Sequence, residues 1–320
     1  MMDIETAREL TPDPRHTRSA RAQDTPGFRR KDAERTALSN DPEMSENELF
    51  LNRDLGWLEF NARVLDEALD ERTPLFERLR FLGIFQSNLD EYFMKRMGSL
   101  YSHARVNFRS KLLPLIASAE HCFKKQLKPA LKEGGIHLLE WQDLDEEERA
   151  RANSLYQNQI FPVLTPFAVD SGHPFPFLSN QSISLGVTLK NPEREDETQF
   201  ARLKVPNFFP QWIRVDGKKD PRHARFVSII ELIAANLDSL FQGMEILNVM
   251  PFRITRNTNI DHDDESEDML EQLSEELKER KFGDVVRLEY RGGGNPMIID
   301  MLRDELHLDE DQIYGGGGLL

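Results

Sequence analysis

Between Leu49 and Lys132 the apolar residues of this chain recur every three or four positions, whereas from Ile183 to Leu189 they recur every two. A helix repeats its face every 3.6 residues and a strand every two, so no single element type accommodates both patterns. The first stretch predicts a run of amphipathic helices. Trp57, Phe60, Asn61, Val64, Leu65 and Ala68 fall at helical spacing and suggest one aromatic-rich face. Thr73 and Pro74 read as an N-cap and first-turn pair, with Glu77 near the positive helix end. Leu75, Leu79 and Leu82 continue on one face. Ser87-Asn88-Leu89-Asp90 is expected to interrupt or recap the helix, because Ser and Asn side chains compete for local backbone groups. Phe93, Met97 and Leu100 resume the helical period, and a long helix from about Leu112 to Lys132 is expected to end at Gly134-Gly135.

The rest of the chain mixes both periods. Asp145-Glu146-Glu147-Glu148 opens an acidic first turn for a helix ending near Ile160, and a proline-dense loop follows from Pro162 to Pro176. Ile183, Leu185, Val187 and Leu189 alternate as a half-buried strand should. Further strands are expected at 200–205, 246–256 and 284–290, with helices at about 228–241, 266–281 and 296–307. Residues 1–46 carry little apolar periodicity and are expected to be a disordered tail. The fold class is therefore α+β: an all-helical N-terminal domain over 47–145, then a mixed α/β head domain over 146–315. Residues 316–320, rich in glycine, read as the start of a linker to further domains.

Charge is unevenly spread. The formal net charge is −15, yet 12 Lys and Arg stand against 4 Asp and Glu between Arg72 and Lys132, and 6 against 18 from Asp261 onward. Potential at a surface is local on the scale of a Debye length, about 8 Å at physiological salt. The basic segment can thus face a phosphate-rich ligand; as an ordinary solvated helix face it needs no ligand at all. The single cysteine, Cys122, excludes an internal disulfide and a cysteine-built metal site. No stretch approaches the ~20 apolar residues of a membrane-spanning helix, and no signal-peptide core opens the chain. The expected compartment is the cytoplasm, and no nucleic-acid partner is expected.

Three strings carry a family resemblance. The first runs from Asn52-Arg53-Asp54-Leu55-Gly56-Trp57 through Pro74-Leu75-Phe76-Glu77-Arg78 to Ser87-Asn88-Leu89-Asp90-Glu91-Tyr92-Phe93. The second is Leu164-Thr165-Pro166-Phe167-Ala168-Val169-Asp170 with His173-Pro174-Phe175-Pro176. The third is Pro251-Phe252-Arg253-Ile254-Thr255-Arg256-Asn257 with Phe282-Gly283-Asp284-Val285-Val286-Arg287-Leu288-Glu289. In this order they resemble the histidine-dependent polyphosphate kinases, over roughly residues 47 to 314. Gly56 stands where that family more often has Ser.

The resemblance implies a helical domain that closes over ATP and a head domain that builds a homodimer. It also implies transfer of the terminal phosphate of ATP to inorganic polyphosphate through a phosphohistidine, with magnesium. The histidine and the magnesium ligands are expected in two further domains beyond this stretch, so no catalytic residue and no metal ligand is assigned here and the chain is expected to be inactive alone. The alternative is a non-catalytic dimerisation or nucleotide-binding module. Membrane association as part of a polyphosphate kinase complex is compatible with either.

Asn88 matches the Asn through which the family contacts ATP; without the resemblance it reads as a capping Asn. Lys95 and Arg96 could hold phosphate oxygens, or be solvated. His173-Pro174-Phe175-Pro176 reads as a structural turn. Asp261, Asp263, Asp264 and Glu265 lack the glycine and distal Glu of a calcium loop. Gly292-Gly293-Gly294 lacks the Lys-Ser/Thr of a P-loop and reads as a linker into a helix capped near Asn295.

Overall fold

The computed structural model describes residues 52–169, 172, 174–192, 198–217, 223–259 and 282–316. The expected tail over 1–46, His173, the acidic run from Asp261 to Glu265, the helix at 266–281 and residues 317–320 lie outside the described residues.

Helix α1 spans Arg53–Leu69 and is capped by Asn52, whose side chain accepts from the backbone N–H groups of Asp54 and Leu55 at 3.0 Å. Its buried residues are Leu58, Asn61, Leu65 and Ala68, at steps of three, four and three. The inward face is therefore rotated from the expected aromatic one, and Phe60 is 49% exposed.

Helix α2 spans Leu75–Lys95 without a break. Pro74, not Thr73, is its N-cap, and no side chain caps the first turn. Ser87 to Asp90 do not interrupt it. The polar side chains find partners on other elements: Asn88 donates to Asn61, and Asp90 accepts from Arg253 and Arg287. They leave the backbone ladder intact, while Leu82, Phe85, Leu89, Tyr92 and Phe93 keep one face buried.

Helix α3, Ser102–His121, starts ten residues earlier than expected and runs through a π-type turn at Cys122–Leu127 into α4, Lys128–Glu133. Pro129 cannot donate to the ladder and its ring crowds the preceding turn, which the wider turn relieves. Gly134 ends the helix, its N–H bonded to the Ala130 carbonyl. The helices share a core that includes Leu65, Phe85, Phe93, Phe108 and Leu112, together with Val286 and Tyr314 from the C-terminal part.

Beyond Gly135 the chain builds two sheets. Strand β1 (Ile136–Leu139) pairs parallel with β6 (Ala224–Ser228), which pairs antiparallel with β5 (Trp212–Arg214). The larger sheet has the order β2-β4-β3-β7-β8-β9. It comprises β2 (Pro166–Val169), β3 (Ile183–Lys190), β4 (Thr198–Lys204), β7 (Glu245–Arg256), β8 (Val285–Tyr290) and β9 (Ile313–Gly315). Its pairs are antiparallel except β8 with β9. Strand β2 lies inside the expected proline loop, since Pro166 opens an edge strand where its missing N–H costs nothing.

Strand β3 is buried on both faces, not one. Leu185, Val187 and Leu189 pack into a core between the two sheets. On the other face a Cβ at Gly186 would lie 3.0 Å from the Ile298 side chain on α7, the helix Pro296–Leu306, and 3.1 Å from Phe200, so glycine gives these side chains their close approach to the strand. Two helices complete the inter-sheet core. Helix α5 (Glu146–Leu155) is opened by a reciprocal capping box of Asp145 and Glu148 and continues as a π-type turn to Ile160. Helix α6 (Ile229–Ala234) is far shorter than the expected 228–241. Asn236 leaves helical backbone angles, and its side chain donates to the Leu232 carbonyl at 3.0 Å. Helix α7 is capped by Asn295 as expected and closes with His307 in the left-handed region. Among the described residues no helix is long and apolar enough to cross a membrane.

Candidate functional site

The start of α1 and the end of α2 meet at a cavity of about 330 Å³. The three residues singled out from sequence, Asn88, Lys95 and Arg96, all line it. Helical geometry explains the grouping, because residues 88, 91, 92 and 95 share one face of α2.

Asn88 is held in a defined orientation. Asn61 is fully buried and donates to the Phe85 carbonyl at 3.1 Å, which turns its own carbonyl oxygen toward Asn88. Asn88 then donates one N–H to that oxygen at 3.0 Å. Its own carbonyl oxygen and second N–H are unengaged among the described residues, leaving an acceptor and a donor side by side at the cavity wall. Asn88 is thus neither a cap nor part of a turn.

An aromatic wall stands beside it. Trp57 stacks on Tyr92 at 4.2 Å between ring centres, and Tyr92 stacks on Phe108 at 4.7 Å. The Tyr92 hydroxyl is buried beside the Asp54 carboxylate. Burial, and next the charge of Asp54, push its ionisation well above the ordinary phenol range, so it remains a neutral donor. The cations are partly committed. Lys95 pairs with Glu91 one turn back, and Arg96 lies 3.8 Å from Asp54. Arg53 extends into solvent beside them. Such pairs at the surface are weak, so an anionic ligand can compete for these side chains.

Sequence reading missed Arg53, Trp57 and Tyr92 as parts of this site, although all three lie in the strings that carry the resemblance. The helical period places Trp57 beside Phe60, but only the packing of α1 on α2 brings it against Tyr92. No histidine lines the cavity. Among the described residues no three His, Cys, Asp or Glu side chains gather as they would around an all-protein metal site.

The opposite side of α2 is bolted to the sheet. Arg253 donates to Asp90 at 3.0 and 3.1 Å and to Glu289 at 2.7 and 3.0 Å. Arg287 pairs with the same Asp90, lies 3.1 Å from Glu289, and donates to the Thr255 hydroxyl at 2.9 Å. Two cations and two carboxylates thus alternate in one small region. Burial opposes the charge on Arg253, but Glu289 and Asp90 outweigh it and hold the guanidinium above its ordinary pKa.

Comparison with known proteins places these elements. Residues 50–139 match the family model described as the polyphosphate kinase N-terminal domain, and residues 147–320 match that of the polyphosphate kinase middle domain. The polyphosphate kinase of Thermosynechococcus vestitus is 39% identical over 299 residues, covering 87% of this chain and 41% of that protein. That of Synechocystis is 41% identical over 296 residues, covering 85% of this chain and 40% of the relative. The chain therefore spans about 40% of the length of these relatives. The crystal structure of polyphosphate kinase from Porphyromonas gingivalis shares the fold. Its TM-score is 0.72 at 24% identity, over 85% of this chain and 40% of that one.

Proposed function

The chain belongs to the polyphosphate kinase family, and from that premise we propose that the cavity between α1 and α2 takes the nucleoside end of ATP, the phosphate donor for inorganic polyphosphate. One observation carries this reading: an Asn amide, oriented by a second buried Asn, shares a cavity with Trp57, Lys95 and Arg96. The free donor and acceptor of Asn88 suit a base or ribose edge, and the indole offers a face for stacking. The two cations suit the phosphates.

In the reaction proposed for the whole enzyme, a histidine nitrogen attacks the γ-phosphorus and the bond to the β–γ bridging oxygen breaks, releasing ADP. The phosphohistidine then passes its phosphoryl group to a terminal oxygen of polyphosphate. Such transfers depend on positioning and on neutralising charge. The residues described here are proposed to supply positioning only, because no histidine lines the cavity. The 320-residue chain is accordingly proposed to bind nucleotide in the cytoplasm without transferring phosphate.

Calorimetric titration with ATP tests the site. Asn88→Ala is expected to weaken binding about five- to tenfold, roughly the 1–1.4 kcal/mol of a net hydrogen bond. Unchanged affinity removes Asn88 from the site, and polyphosphate synthesis by the purified chain removes the inactivity.

We also propose that the head region, 146–315, pairs with a second copy of the chain. Phe177 and Phe282 are 41% and 59% exposed there and meet at 5.1 Å between ring centres, and Phe208 is 68% exposed. Light scattering is expected to give twice the 37.1 kDa chain mass; a monomer at micromolar concentration overturns the pairing.

A further inference from the structure

Residues 79, 82, 83, 86, 87 and 90 share the face of α2 opposite the Asn88 cavity. They form one wall of a second, larger cavity of about 620 Å³, whose other walls come from the π-type turn, β1, β5 and the end of β8. That volume lies inside the range of about 300–1,000 Å³ typical of small-molecule sites.

The lining divides sharply. Its apolar body consists of Leu79, Leu82, Phe123, Leu138 and the Trp212 ring. Its carboxylates are already engaged. Asp90 is held by Arg253 and Arg287, and Glu140 accepts from the Gln142 side chain at 3.0 Å and lies 4.0 Å from Lys128. Lys124 is paired with Glu120.

What remains unengaged is rich in donors. The Arg291 guanidinium, the Trp212 indole N–H and the Ser87 hydroxyl have no side-chain hydrogen bond or ion pair among the described residues. The Gln211 amide is likewise free. Each can donate, and one carries a fixed positive charge. An acceptor-rich anionic group satisfies Arg291 with strong, charge-assisted bonds, and a flat apolar body fits against Trp212, Phe123 and the leucines.

We propose that this cavity is a second binding site, for a small aromatic anion. It shares a helix with the Asn88 cavity but none of its lining residues, so it stands independently of the ATP assignment.

Gly83 makes the site testable. It lies inside α2 and lines the cavity, and a Cβ there meets no atom within 4 Å. A leucine at this position starts from an uncrowded Cβ on the cavity wall and favours the helix over glycine. The experiment titrates the full chain with 8-anilinonaphthalene-1-sulfonate, following probe and tryptophan fluorescence. The expected result is one saturable site, weakened about tenfold by Arg291→Gln and at least as much by Gly83→Leu, and unchanged by Asn88→Ala.

Absence of saturable binding overturns the proposal. So does wild-type affinity in Arg291→Gln and Gly83→Leu, or loss of the probe in Asn88→Ala alone, which puts the dye in the first cavity. Circular dichroism establishes that Gly83→Leu is folded; should it not be, Arg291→Gln, a change at a partly exposed side chain, decides. ATP titrations of the same variants report on the first cavity separately, so either assignment can fail without the other.

Discussion

Asp90→Ala is expected to lower the stability of the fold by about 3–5 kcal/mol, the usual consequence of removing one partner from a buried ion pair. The side chains of Asp90, Glu289, Arg253 and Arg287 are 18%, 15%, 11% and 2% exposed, far from the fully solvated pairs that contribute little. Asp90 is the member that α2 contributes; the other three come from β7 and β8. Alanine there leaves two guanidinium groups sharing one carboxylate, with Arg287 almost wholly out of water.

Equilibrium unfolding in urea measures the effect as a lower midpoint. A loss below about 1 kcal/mol would mean that water screens the cluster as it screens a surface pair, and would remove it as the fastening between α2 and the sheet. The nucleotide reading predicts a second consequence: Asp90 and Asn88 sit on opposite faces of one helix, so a loosened α2 weakens ATP binding without touching a contact residue.

Phe93→Ala is expected to cost about 3–5 kcal/mol, as large-to-small changes at fully buried aromatics do. Phe93 is 0% exposed. It meets Phe108 edge-on at 6.3 Å and Tyr314 edge-on at 5.4 Å, while the Arg287 guanidinium lies 4.2 Å above its ring. Truncation therefore opens a cavity at the join between helices and sheet, and also removes the cation–π partner of the most buried arginine. Because Phe93 and Asp90 both hold Arg287, the double variant should lose less than the sum of the two single losses. Strict additivity, measured by the same unfolding curves, would mean the two contacts act independently.

Much of the architecture was readable because it rests on local rules. Helix period marked α2, the acidic run from Asp145 to Glu148 marked the start of α5, and Asn295 marked the start of α7. Strands β4, β7 and β8 fell within a residue or two of the expected ranges. The readings that failed shared a cause. Ser87 to Asp90 look like a helix breaker only while their side chains are assumed to bond locally. Strands β1, β5, β6 and β9 are three to five residues long, too short to display a period, and exist because a neighbouring strand completes their hydrogen bonds.

The same division holds at the two cavities. Family membership was legible in the long strings around Trp57, Asn88 and Arg253, and residues 88 and 95 share a face by helical arithmetic alone. Tertiary structure decided the rest. That Asn61 orients Asn88, that Trp57 stacks on Tyr92, and that Arg291 reaches a cavity beside Gly83 all depend on segments 27 to 208 positions apart in the chain. Local sequence encodes which face of an element is apolar, through residue spacing. It does not encode which polar group on another element will meet that face, because the partner is set by the packing of whole elements.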